Sequence, residues 1–206
     1  MNTVKLFGEK PDGTCVVSFF KANIEKVANA LRSWGGRLSG LTGEKRDDCS
    51  LSFDEYIPGG NEHQLRSNGI WTAHFDNSTT ISSGLVMKVS EIARCVGVRF
   101  TTTTISAIYP CRRIEYFDGQ NPTQPIERIV GIQKDGSKWR FTEEGTPLPF
   151  EEPLNYLKPR ISDRFTSEMA INYALGLGIS IEDIGQFAEI MYLHNPTAIK
   201  AWVRTV

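Results

Sequence analysis

Residues 98–109 constrain the fold more than any other segment. Four threonines in a row, Thr101–Thr104, lie among Val, Ile and Phe. β-branched side chains lose rotamer freedom in a helix and pack well on a pleated surface. A strand is therefore predicted here, and a strand this apolar needs a sheet around it.

Other segments supply that sheet. Residues 4–9 and 14–20 flank Pro11-Asp12-Gly13, where Pro presets the first turn angle and Gly takes the second. Residues 51–57 alternate apolar and polar, as a half-buried strand does. Residues 70–75 repeat the pattern, with Trp71, Ala73 and Phe75 on one side and Thr72 and His74 on the other. Residues 112–117 form the next strand. Asp135-Gly136 between residues 126–134 and 138–141 is a strong hairpin signal. The first arm of this hairpin puts Ile126, Arg128, Val130 and Ile132 on one face, and the second carries Trp139 and Phe141. Residues 39–48 and 58–69 are polar and read as loops.

Helices are read from the 3.6-residue period. One runs from Asn23 as N-cap through Ile24, Val27, Ala28, Leu31 and Trp34. A second spans residues 81–96, with Ile81, Leu85, Val89, Ile92, Ala93 and Val96 sharing a face. The C-terminal third is predicted helical. A helix starts at Thr166, with Met169, Ala170, Tyr173, Ala174 and Leu177 inward, and Gly178 stops it. Another follows Ser180, with Ile184, Phe187, Ala188 and Met191 inward, and a last one covers residues 198–203. The predicted class is α+β: a mainly antiparallel sheet, two amphipathic helices packed on it, and a helical C-terminal third. One domain over residues 1–206 is expected, with a helical subregion at 154–206, because no long Pro/Ser-rich linker divides the chain.

The charge balance excludes some functions. With 23 Lys+Arg against 24 Asp+Glu, the chain lacks the basic excess of a general nucleic-acid or membrane-surface binder. Neither partner is expected. No apolar run reaches the roughly 18 residues of a membrane span, and the first residues do not read as a signal peptide. Cys15, Cys49, Cys95 and Cys111 have no CxxC spacing and read as reduced thiols, so a cytoplasmic location is expected.

Catalytic motifs are missing. The spacing of His63, His74 and His194 matches no metal motif, and no nucleophile elbow or phosphate-binding glycine loop occurs. No cofactor, metal ligand or catalytic residue is assigned, and the balance leans away from an enzyme. Charge is nevertheless uneven. Residues 81–140 carry nine basic and five acidic side chains, and residues 141–206 carry five basic and nine acidic. Within 142–153, Glu143, Glu144, Glu151 and Glu152 stand without a basic residue. Trp139 and Tyr156 flank them, and aromatic residues are frequent interface anchors. These six are the candidate partner-binding residues, against the plainer reading of a solvated acidic loop beside core aromatics.

The segment Asp135-Gly136-Ser137-Lys138-Trp139-Arg140-Phe141, the loop Gly145-Thr146-Pro147-Leu148-Pro149-Phe150-Glu151, Tyr156, Arg160, Asp163-Arg164-Phe165-Thr166 and Leu177-Gly178-Ile179 resemble bacterial polymorphic-toxin immunity proteins. The resemblance covers residues 126–180. It implies a non-catalytic inhibitor that occludes a cognate toxin, and it carries over no functional residue. Two alternatives stay open. One is an enzyme of unfamiliar type using His74, Asp76, Asn77, Arg112 and Arg113 near strand ends. The other is a phage or secretion-system structural accessory protein. The oligomeric state is not readable from the sequence.

Overall fold

Nine antiparallel strands form one sheet in the computed structural model, which describes residues 14–34, 42–45, 53, 60–78, 84–103, 107, 110–121, 123–181, 183–184 and 187–195. The strands are β1 (Thr14–Phe20), β2 (Thr42–Lys45), β3 (Glu62–Ser67), β4 (Thr72–Asp76), β5 (Val96–Thr103), β6 (Cys111–Asp118), β7 (Ile126–Asp135), β8 (Lys138–Glu144) and β9 (Glu189–His194). Their spatial order is β2-β9-β3-β4-β1-β5-β6-β7-β8.

β1 occupies the middle and is buried on both faces, as its apolar run requires. Cys15, Val17 and Phe19 point to one side with Ala73 and Phe75 of β4, Trp71 just before that strand, and Val98 and Phe100 of β5. On that side lie α3 (Ser167–Gly176) and two short 3-10 turns, Pro153–Leu157 and Ile161–Asp163. Phe20 points the other way, toward α1 (Ile24–Ser33) and α2 (Gly84–Ala93). The Asn23 side chain caps α1 by accepting from the Lys26 N–H, and Ile24, Val27, Ala28 and Leu31 are buried as the period predicts. Thr166 caps α3 in the same way through Met169. The Asp135-Gly136 hairpin forms in the expected register, with Asp135 opposite Lys138 and Gly136 at φ 59°.

Several expectations change. Residues 58–69, predicted as a loop, contain β3, and residues 39–48 contain β2. The helix predicted from Ser180 through Met191 is absent as drawn. Its second half is β9, inserted between β2 and β3. Ile190 is β-branched and Tyr192 aromatic, and two waiting strand edges outweigh the helical spacing of this run. The C-terminal third therefore contributes one α-helix among the described residues, where three were predicted. In α2 the inward face is rotated. Val86, Val89, Ser90 and Ala93 are buried, and Ile92 is 43% exposed. The predicted strand at residues 4–9 and the helix at 198–203 lie outside the described residues, as does the strand at 51–57 except for Phe53.

Candidate functional site

Arg128 organises the segment that holds the six sequence-derived candidates. β7 places it on the same face as Val130 and Ile132, and its side chain is 1% exposed. A guanidinium there must find acceptors for all its donors. Nε and Nη2 form a fork on Glu151, at 2.9 Å to Oε1 and 2.6 Å to Oε2. Nη1 donates to the carbonyls of Glu144 and Gly145 at 3.1 and 3.0 Å, and Nη2 also reaches Glu143 Oε1 at 3.1 Å. The Tyr156 hydroxyl donates to Glu151 at 2.7 Å. With that proton committed, the Tyr173 hydroxyl, 2.8 Å away, donates to Tyr156 and accepts from the Glu152 N–H at 3.0 Å. Burial opposes charge on both ion-pair partners. The hydrogen bonds outweigh it, holding the Glu151 carboxyl below its usual range and the Arg128 guanidinium more firmly protonated than usual. Gly145 completes the anchor. It sits at φ 78°, and a Cβ there would lie 2.0 Å from the Glu127 carbonyl oxygen.

This network divides the six candidates. Glu151 and Tyr156 are buried inside it, at 1% for the Glu151 side chain and 3% for Tyr156. Trp139 is half-buried, packed against the core beside Phe141. Glu144 and Glu152 are exposed, and Glu143, with its side chain 38% exposed, touches Arg128 from outside. Just past Glu151, Leu154 and Leu157 are 83% and 76% exposed. Three residues apart on a 3-10 turn, they share one side of it.

A second polar assembly lies on the opposite face, beyond the helices. Cross-strand register aligns His74, Ser18, Arg99 and Glu115 in one row across β4, β1, β5 and β6. The neighbouring positions along these strands hold His63 paired with Asp76, and Thr101 paired with Arg113. His63 Nδ1 and His74 Nε2 share a hydrogen bond of 2.9 Å with their rings stacked. Glu115 pairs with Arg113 at 3.2 Å and lies 3.9 Å from Arg99. Burial pushes the Glu115 carboxyl up despite both arginines. Among the alternative enzyme's candidates, His74, Asp76 and Arg113 fall into this layer. Arg112 points to the other face, and Asn77 caps the β3–β4 end by accepting the N–H groups of Asn61 and Glu62. His63, Arg99 and Glu115 were not singled out from the sequence. Their signal was a charged or polar residue inside an apolar run, Arg99 between Val98 and Phe100 being the plainest case.

The buried imidazole gives a pH prediction. Burial lowers the His63 pKa, with Asp76 pulling weakly upward. In the unfolded chain the ring takes a proton near pH 6.5, and the folded chain refuses it until lower pH. Stability should therefore be full above about pH 6.5 and fall as the pH drops from there through the folded pKa. His74 and Asp76 face the ring, and Glu115 works in the opposite direction because its raised pKa favours protonation in the fold. Urea unfolding at pH 7.5, 6.5 and 5.5 should show a smaller acid loss for His63→Gln than for the parent. Equal losses would remove His63 as the cause.

Compared with protein-family models, curated proteins and solved structures, the chain matches none. No described helix is long and apolar enough to cross a membrane. Among the described residues no group of three His, Cys, Asp or Glu side chains is placed to hold a metal ion.

Proposed function

We propose that this chain is a non-catalytic protein-binding module, an antitoxin or immunity-type inhibitor that occludes a partner protein in the bacterial cytoplasm. One observation carries the reading. The irregular segment after β8 is bolted down through Arg128, Glu151 and Tyr156, and it still offers Leu154 and Leu157 to solvent, with the Glu152 carboxylate beside them. Two bare leucines on one side of a turn are costly to leave in water and profitable to cover, at about 25 cal/mol per Å² of apolar area. A pre-organised segment loses less entropy when a partner covers it. Glu143, Glu144 and Glu152 are exposed and add negative charge to this part of the chain, which would steer a basic partner.

The test is co-purification with the product of the adjacent gene, followed by titration calorimetry. Leu154→Asp/Leu157→Asp should weaken the complex at least about a hundredfold, the usual scale for losing a central apolar anchor. The fold should be unchanged, because both side chains are already exposed. Absence of a complex, or a complex indifferent to the double variant, would end the proposal. An enzyme is the second reading, favoured by the buried His63–His74–Asp76–Arg99–Glu115 layer, since ionisable groups gathered in one place are a common mark of catalysis.

A further inference from the structure

A cleft of about 530 Å³ opens between the sheet and the start of α3. Its volume falls within the range of about 300–1,000 Å³ typical of small-molecule sites. Arg112 on β6 and Trp139 on β8 form the sheet side. Arg160, Asp163, Ser167 and Glu168 form the other side.

Three observations around this cleft point to an anion. First, neither Arg112 nor Arg160 makes a side-chain hydrogen bond or ion pair among the described residues. That contrasts with Arg128, Arg140 and Arg164, whose guanidiniums have acceptors. Second, Thr102, the cross-strand partner of Arg112 on the same sheet face, is 8% exposed, lies outside the cleft's lining and makes no side-chain hydrogen bond among the described residues, so it takes no donor from Arg112. Third, the Thr166 side chain takes only the Met169 N–H, so the N–H groups of Ser167 and Glu168 remain as donors at the positive end of α3.

The remaining wall sets the rest of the chemistry. Trp139 is half-buried against the core, so its ring is held in place and gives a flat apolar surface. Asp163, which already accepts the Ser162 hydroxyl at 3.1 Å, and Glu168 would repel a bare anion but accept from hydroxyl groups. We propose that this cleft binds a small molecule in which a flat, hydroxyl-bearing framework is joined to a phosphate or carboxylate. The anionic group lies on Arg112 and Arg160 and the ring lies on Trp139. A nucleoside monophosphate and a hydroxylated aryl carboxylate both meet that description.

Titration of the full chain tests it, with the Trp139 indole N–H signal followed by NMR and assigned through Trp139→Phe. The probes are adenosine monophosphate and 3-hydroxybenzoate, against adenosine and inorganic phosphate as partial ligands. One or both full probes should shift the Trp139 signal saturably, each partial ligand should bind at least about tenfold more weakly, and Arg112→Gln/Arg160→Gln should weaken the full probe at least about tenfold. The thermal midpoint of that variant should stay close to the parent's, since neither side chain is paired. If the double variant does not keep its fold, Arg160→Gln at its exposed position carries the same comparison. No shift with either probe at millimolar concentration overturns the proposal. So does adenosine binding as well as its monophosphate, or phosphate alone binding as tightly, which would leave an adventitious ion only.

Discussion

Replacing Arg128 with Met is expected to lower unfolding stability by about 3–5 kcal/mol, the scale for breaking one side of a buried ion pair. The variant keeps most of the side-chain volume on β7 and removes every donor. The Glu151 side chain, 1% exposed, would then face the interior as a carboxylate with only the Leu148 N–H and the Tyr156 hydroxyl to stabilise it. The carbonyls of Glu144 and Gly145 would lose their donor as well. Arg128→Lys should not rescue the loss, because an ammonium cannot fork onto Glu151 and reach two carbonyls at once. Arg128→Met/Glu151→Leu should recover a large part of it, since removing both charges removes the burial cost that made the single variant expensive. Denaturant unfolding of the three variants measures this directly. A single-variant cost below about 1 kcal/mol, or a double variant no better than the single, would show that the network is not what fixes the segment. The same experiment bears on function, because loosening residues 145–157 would blunt the surface that carries Leu154 and Leu157.

How much of this was legible beforehand depends on how far a residue's environment is local. The strand at Thr101, Thr102 and Thr103 and the Asp135-Gly136 hairpin were readable because strand propensity and turn chemistry act within a few residues. The cap at Asn23 and the helix start near Thr166 were readable for the same reason. β9 was not readable. Helical spacing in residues 184–191 competes with strand propensity in residues 190–193, and the deciding factor is the free edges of β2 and β3, more than a hundred residues away. The candidate site shows the same division. Glu151 and Glu152 are neighbours in a polar stretch and look alike in sequence. One is inside because Arg128 lies across from it, and the other is outside because its side chain points away. Arg128 was visible on an otherwise apolar strand face, which is the sequence signature of a buried charge with a partner. Nothing local named the partner. The His63–His74 contact likewise depends on the β3–β4 register, which a loop reading of residues 58–69 had removed.

Phe19→Ala is expected to cost about 3–5 kcal/mol, the range for emptying a buried phenylalanine site. Phe19 lies on β1, the middle strand, and is 0% exposed. Its ring meets Phe100 of β5 edge to face, with centroids 5.9 Å apart and planes at 81°. The cavity would form between β1 and the α3 side of the core, where neighbouring strands are fixed on both edges and cannot collapse into it. Phe19→Leu should cost less, because it keeps most of the volume and loses mainly the ring pair. A cycle of Phe19→Leu and Phe100→Leu should give a coupling of about 0.5–1.5 kcal/mol, the range for aromatic pairs beyond area burial. Near-zero coupling would mean that the two rings are adjacent without interacting. The position also links the two faces. Ser18, the preceding residue, stands on the opposite face between His74 and Arg99, so a shift of β1 moves the polar layer along with the core. Phe19→Ala should therefore steepen the acid loss of stability between pH 7.5 and 5.5, and Phe19→Leu should leave it near the parent's.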